Sequence, residues 1–257
     1  MKSAPPVAVG DWLAQGEAAE ADWGGHVTRL AVRGDLGYGG EGLLLDLPAL
    51  AQPFACNSCA CAPGLRAART RSCCADLDVT LTPGERAAVT DALPAIAAWM
   101  APRDARWRDD APETLDGDTL RRPGGRCVFA AAGPTGLACA LHAMEDAAKR
   151  PRGTWKPMPC RLFPLIVIDL GEENLLLSAV TRRTAGPMGL PPARMFPCLR
   201  GDTTTTTTLV HSVGDTLAEL WGEATARVVH RAVERWRRHH RPQVALSLSA
   251  LARRTPP

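Results

Sequence analysis

The apolar residues of this chain recur at helical spacing in two long segments. Residues 83–100 and 212–239 place apolar side chains three or four positions apart, which predicts helices with one buried face. Thr82 and Glu85 have the spacing of a capping box, with a proline in the first turn. Pro102 then ends the first helix, because proline disfavours a helical conformation in the residue before it.

Alternating apolar and polar residues predict strands at 26–32 and 77–81. Residues 43–47 are predicted to be a short strand or a buried loop, and short apolar runs predict strands at 127–130, 137–141, 165–170 and 175–180. The turns 133–136 and 171–174 join the last four of these into two hairpins. Short antiparallel hairpins, two main helices and irregular metal-binding loops together predict a single α+β domain.

The segments between these elements indicate how the chain is organised. Residues 1–53 are expected to pack on a core formed by 54–200, and a threonine-rich loop with the C-terminal helix occupies 201–242. Residues 243–257 are expected to form a flexible tail, all within one domain. The charged segment 103–125, rich in proline and glycine, is predicted to be an exposed loop.

Composition excludes several classes of protein. Of the 257 residues, 46% are hydrophobic and 22% charged, values typical of globular proteins and not of disordered or collagen-like chains. A net charge of +3 excludes a polycation that coats nucleic acid, so we expect no nucleic-acid partner. No apolar run approaches the ~20 residues that span a bilayer, and no signal peptide is predicted. We therefore expect a cytoplasmic protein without a membrane partner.

The nine cysteines carry the most chemical information in the sequence. In a reducing cytoplasm they are expected to be thiols or thiolate ligands rather than disulfides, and their odd number agrees with this. Cys56 and Cys59 form a C-x-x-C pair, Cys61 follows, and Cys73 and Cys74 are adjacent. Adjacent cysteines suit a multinuclear cluster, two nearby ions, or one ligand beside a buried thiol. Without a metal, this irregular segment has little else to fold it.

Three later phrases each contain one further cysteine. They are C-V-F from Cys127, C-A-L-H from Cys139, and K-P-M-P-C-R-L-F-P around Cys160. Together with the upstream pairs, these phrases resemble the YkgJ-like cysteine-cluster family, which is described as a zinc- or iron-chelating domain. The resemblance covers 54–165 and departs from the family in the longer spacing between the two upstream pairs. Flagellin lysine methylases look similar in their cysteine region, which implies a link to iron–sulfur chemistry or protein modification.

The resemblance and the spacing together predict a metal site held by cysteine thiolates. The predicted ligands are Cys56, Cys59, Cys73, Cys74, Cys127, Cys139 and Cys160, and the possible further ligands are Cys61, Cys198 and His142. Cys198 is either a ligand or an inert thiol. Arg161 either neutralises the charge of a thiolate-rich site or pairs with an acidic residue at the surface.

Three functions are consistent with such a site. The first is a metal-binding protein in which an iron–sulfur cluster or zinc, with the cluster favoured, has a structural or redox role. The second is a metal-dependent protein-modifying enzyme, transferase-like by analogy with the methylases. The third is a disulfide or redox-switch protein without metal. The partner expected in the first two is the metal ion or cluster itself.

Overall fold

The computed structural model describes residues 22–54, 73, 77–133, 136–151, 153–199 and 207–240. In chain order its helices and strands are α1 (Trp23–Arg33), β1 (Leu36–Gly40), β2 (Leu43–Asp46), α2 (Leu47–Leu50), α3 (Pro83–Met100), β3 (Leu115–Asp116), β4 (Thr119–Leu120), β5 (Ala130–Gly133), β6 (Gly136–Cys139), α4 (Ala140–Ala147), α5 (Met158–Leu162), β7 (Leu165–Gly171), β8 (Asn174–Ala179), α6 (Leu209–Ser212) and α7 (Gly214–His240). Helices together with mainly antiparallel strands confirm the predicted α+β class.

A four-stranded sheet brings early and late parts of the chain together. Its strand order is β1-β2-β8-β7, and in this sheet β2 and β8 are parallel while the outer pairs are antiparallel. Leu45 of β2 lies opposite Leu177 of β8, and both are fully buried. They pack with Leu50, Leu217 and Val233 from the helices in what we call the sheet core. The β7–β8 hairpin is confirmed, whereas the glycine-rich sequence of β1 did not predict a strand.

Helix α1 occupies a segment that was predicted to be a strand. Residues 26–32 lie within this helix, so that prediction is wrong. The Asp22 side chain caps the helix by accepting a hydrogen bond from the Gly25 N–H at 2.7 Å. Gly34 ends it in the left-handed conformation, at φ +70°. The buried residues Trp23, His26 and Leu30 follow helical spacing, which outweighs the short alternation.

Helix α3 confirms the prediction for 83–100 at both ends. Its first turn carries the complete capping box. The Glu85 N–H donates to Thr82 Oγ1 at 3.3 Å, and the Thr82 N–H donates to Glu85 Oε2 at 2.9 Å. The helix continues through Pro94 and buries one face against a second hydrophobic core.

This second core, which we call the cysteine core, lies between α3, α4 and the segment that includes β5. It contains Val89, Ile96, Met100, Trp107, Leu120, Val128, Phe129, Leu141 and Met144. Trp107 and Leu120 belong to 103–125, so the prediction of an exposed loop there is wrong. Residues 77–81 meet the β3–β4 hairpin through an isolated bridge between Thr80 and Thr119, so the predicted strand is not formed.

The C-terminal helix confirms the prediction for 212–239 in extent but not in continuity. A short helix, α6, precedes it. Gly222 then interrupts α7 with non-helical backbone at φ +80°, a conformation that favours glycine. Trp236 Nε1 donates to Asp35 Oδ1 at 3.0 Å, which fixes the second part of α7 against the residues before β1.

Several predictions concern residues outside the described ranges. These are the tail 243–257, most of the N-terminal segment before Asp22, much of the threonine-rich loop, and Cys56, Cys59, Cys61 and Cys74. Among the helices that the structure describes, none is long and apolar enough to cross a membrane.

Candidate metal centre

Cysteines from three separate elements line one side of the cysteine core. Cys127 precedes β5, Cys139 ends β6 at the start of α4, and Cys160 lies in α5. All three pack against that core. The Cys73 thiol is close enough to these three thiols for its charge to raise the pKa of each of them. The structure therefore places three of the seven predicted ligands on one core, with a fourth within electrostatic range of them.

The surroundings of these thiols oppose their ionisation. Burial, followed by the neighbouring thiols of Cys139 and Cys73, raises the pKa of Cys127 to about 12. Burial also raises the pKa of Cys139, and it raises the pKa of Cys160 well above the ordinary value, with further contributions from the other thiols. Several thiolates cannot coexist here unless cations compensate their charge. A soft metal ion is such a cation, since it replaces the thiol protons.

Backbone N–H groups partly offset the effect of burial. The N–H of Phe129 lowers the pKa of Cys127. The N–H groups of His142 and Leu141, in the first turn of α4, are close enough to Cys139 to lower its pKa, although their geometry falls short of a capping hydrogen bond. Backbone donors of this kind stabilise thiolate ligands in metal sites.

Two cationic side chains act on the same thiols. Lys156 lowers the pKa of Cys139 and of Cys160, while Arg106 lowers the pKa of Cys127. In each case burial is the larger influence and raises the pKa. The two cations therefore do not ionise the thiols, but they reduce the net negative charge that a thiolate-rich site would carry.

Asp104 holds Arg106 in this position. Arg106 Nη2 donates to Asp104 Oδ2 at 2.7 Å and to the Ala130 carbonyl at 3.0 Å, and Arg126 Nη2 donates to Asp104 Oδ2 at 3.0 Å. Burial raises the pKa of Asp104, but the hydrogen bonds and charge of Arg106 and the charge of Arg126 lower it below the ordinary value overall. The carboxylate thus stays charged and keeps Arg106 beside Cys127.

His142, a predicted possible ligand, contacts two charged side chains. Its Nδ1 lies 3.3 Å from Lys156 Nζ, and its Nε2 lies 3.4 Å from the Asp146 carboxylate. Both ring nitrogens are therefore engaged. Metal ligation by His142 would require one of these contacts to break.

Arg161 is buried and forms an ion pair with a half-exposed glutamate. Its guanidinium makes a double hydrogen bond to Glu219 of α7, with Nη1 3.0 Å from Oε1, and its side chain is only 6% exposed. A Cβ at Gly153 would lie 2.0 Å from Nη1, and the backbone there has φ +90°, so this close approach requires glycine. Of the two roles predicted for Arg161, the structure shows pairing with an acidic residue, in which a buried guanidinium meets a half-exposed carboxylate.

Cys198 lies in the other core. It is buried in the sheet core with Phe54 and Phe196, whereas Cys127, Cys139 and Cys160 pack against the cysteine core. A substitution at Cys198 can therefore be compared with one in the thiol group without affecting the same packing.

Glu85 and Glu145 bind backbone N–H groups beside the thiols, and the sequence did not predict this role. Glu145 is fully buried, and its Oε1 accepts hydrogen bonds from the N–H groups of Trp155 and Lys156, each at 2.7 Å. Glu85 Oε1 accepts from the Met158 N–H at 2.7 Å. The capping-box spacing marks Glu85 in the sequence, but no pattern distinguishes Glu145 from a glutamate that faces solvent.

The donor types at this site fit a soft metal or cluster. Four thiols lie near one another, with backbone N–H groups and two cations around them. Within the part of the chain that the structure describes, no group of three or more His, Cys, Asp or Glu side chains is arranged to hold one ion. The described residues thus supply suitable donors but not a complete, preformed set of ligands.

No protein-family model, curated protein or solved structure shows a significant match to this chain. The resemblance to the YkgJ-like cysteine-cluster family therefore stays a prediction that rests on the cysteine phrases.

Proposed function

We propose that this chain is a metal-binding cysteine-cluster protein, which holds an iron–sulfur cluster or zinc through thiolates in a structural or redox role. The observation that supports this proposal is that Cys127, Cys139 and Cys160 pack against the cysteine core, with the Cys73 thiol close enough to raise the pKa of each. Thiols whose pKa is raised by burial and by neighbouring thiols are unfavourable as thiolates unless a cation binds them.

The residues that would hold the metal come from both described and undescribed segments. Cys127, Cys139 and Cys160 would contribute from the cysteine core, with Cys73 beside them. We expect the remaining ligands among Cys56, Cys59, Cys61 and Cys74, which fall outside the described ranges. When bound, zinc would cross-link these segments, and an iron–sulfur cluster would in addition accept or donate an electron.

Metal analysis of anaerobically purified protein tests this proposal. We expect zinc or iron at near one ion or one cluster per chain, with broad visible absorbance if the group is an iron–sulfur cluster. Cys160→Ser should lose the bound metal, because it removes a sulfur from the thiol group. Cys198→Ser is the matched control, since this cysteine lies in the sheet core, and it should keep the metal.

Two results would contradict the proposal. One is wild-type protein that carries neither zinc nor iron. The other is Cys160→Ser protein with the metal content and melting temperature of the wild type. A thiol count on the denatured, non-reduced and metal-free protein tests whether the chain is instead a disulfide or redox-switch protein without metal. Nine reactive thiols exclude structural disulfides.

A further inference from the structure

The segment that leads into Cys160 is held by polar contacts from three helices. Glu145 of α4 binds the N–H groups of Trp155 and Lys156, and Glu85 of α3 binds the N–H of Met158. Arg161, directly after Cys160, is held by its ion pair with α7. Backbone N–H groups in a loop have no regular partners, so these carboxylates determine the course of the chain.

The burial of Glu145 is unfavourable for folding alone. Its carboxylate is fully buried, and within the described residues its Oε2 has no hydrogen-bond partner. A buried carboxylate oxygen without a partner lowers stability, and apolar side chains would fill the same space without that loss. Glu145 does, however, fix the backbone of Lys156, whose ammonium group acts on the thiols of Cys139 and Cys160.

Glu85 has two separate structural roles. One is the capping box with Thr82, which stabilises the start of α3. The other is the hydrogen bond from Oε1 to the Met158 N–H, which lies in the first turn of the helix that carries Cys160. This bond therefore fixes α5 relative to α3, which is the long helix of the cysteine core.

We infer that Glu85 and Glu145 are positioning residues for the metal site. They hold the 155–160 backbone so that the Cys160 thiol and the Lys156 ammonium group face the thiols of Cys127 and Cys139. This inference rests on the proposed function. It adds that the affinity for metal depends on two carboxylates that need not bind the metal themselves.

The chain offers a matched pair of variants to test Glu85. Thr82→Ala and Glu85→Ala both break the capping box, but only Glu85→Ala releases the Met158 N–H. The probe is Co²⁺, which is sensitive to thiolate ligands and is added to the metal-free full-length protein. Its affinity is expected to fall at least about tenfold in Glu85→Ala and to stay near the wild-type value in Thr82→Ala.

Glu145 is tested by loss and conservative rescue. Glu145→Ala should weaken Co²⁺ binding to a similar extent. Glu145→Gln keeps a side-chain carbonyl at the place of Oε1 and should restore most of the affinity. Glu113→Ala, which removes an exposed carboxylate, should have no effect.

A second readout does not depend on metal. In the metal-free protein, alkylation of Cys160 by iodoacetamide, measured by peptide mass spectrometry relative to Cys127, should rise severalfold in Glu85→Ala and Glu145→Ala but not in Thr82→Ala. If Glu145→Ala does not fold, the Glu85 and Thr82 pair decides the inference alone.

The possible outcomes separate the two proposals. Wild-type protein that binds no Co²⁺ overturns both the proposed function and this inference. If wild-type protein binds Co²⁺ but Glu85→Ala matches Thr82→Ala in affinity and in Cys160 alkylation, only the positioning role is overturned. A fall in affinity confined to the two carboxylate variants, with rescue by Glu145→Gln, supports it.

Discussion

The sheet core and the cysteine core, the two largest hydrophobic clusters among the described residues, differ in how their polar groups are satisfied. In the sheet core region, the buried Asp46 carboxylate accepts hydrogen bonds from Ser178 at 2.8 Å and from the Ala49 N–H at 3.2 Å, and it pairs with His26 at 3.0 Å. In and beside the cysteine core, four buried polar atoms have no hydrogen-bond partner within the described residues: Arg106 Nη1, Trp107 Nε1, Glu145 Oε2 and Arg161 Nε.

This difference indicates which of the two cores is less favourable for folding alone. A core that only has to be stable satisfies its polar groups or excludes them, as the sheet core does. The cysteine core contains clustered thiols, a buried carboxylate and a buried guanidinium, each of which lowers stability unless it has a partner. We therefore expect bound metal to add more stability to the cysteine core than to the sheet core.

The largest expected effect comes from truncation of each core. Leu177→Ala should lower the free energy of unfolding by ~2–5 kcal/mol, because it opens a cavity in the sheet core. The protein that remains folded should keep its full metal content. Ile96→Ala, at a fully buried position of the cysteine core, should cause a similar loss of stability and should also weaken metal binding.

Chemical denaturation and metal analysis on both variants check this contrast. Equal loss of metal from folded Leu177→Ala and folded Ile96→Ala protein would show that the two cores are not separable.

The stability of the metal-free protein should also depend on pH, and this effect is smaller for each pH unit than the effect of truncating a core. The pKa of Cys127 is about 12 in the folded protein against an ordinary 9.0, so the folded state favours the protonated thiol. Its contribution to stability is fully present below pH about 9 and is lost as the pH rises towards about 12, by up to ~1.4 kcal/mol per pH unit. Cys127→Ala should make this decline less steep, while Cys139 and Cys160, whose pKa values are also raised, maintain the rest of it.

Urea denaturation of the wild type and Cys127→Ala over that range gives the measurement. Parallel pH profiles for the two proteins would contradict the assignment of Cys127 as a desolvated thiol among other thiols.

Local signals in the sequence predicted the elements that depend on local interactions. The capping box at Thr82 and Glu85 marks the start of α3, and the turn 171–174 marks the β7–β8 hairpin. The short alternation in residues 26–32 also agrees with helical spacing, and the Asp22 cap starts a helix there instead of a strand. The parallel pairing of β2 with β8 joins strands far apart in the chain, and no local pattern specifies such a pairing.

In the candidate site, too, local sequence predicts some features and only the tertiary fold determines the others. The cysteine phrases and the family resemblance that they carry predicted that Cys127, Cys139 and Cys160 belong together, and the structure places them on one core. The role of Glu145 could not be predicted, because a glutamate on a helix is usually exposed and only the tertiary fold buries it. The sequence around Cys198 likewise does not reveal that this cysteine packs in the sheet core.

X-ray absorption spectroscopy at the metal edge of anaerobically purified protein shows directly whether cysteine thiolates hold the metal. We expect a shell of sulfur atoms around zinc or iron, at about 2.3 Å for zinc, and a reduced sulfur shell or no metal in Cys160→Ser. Metal-free wild-type protein, or a bound metal surrounded only by oxygen and nitrogen, would contradict it.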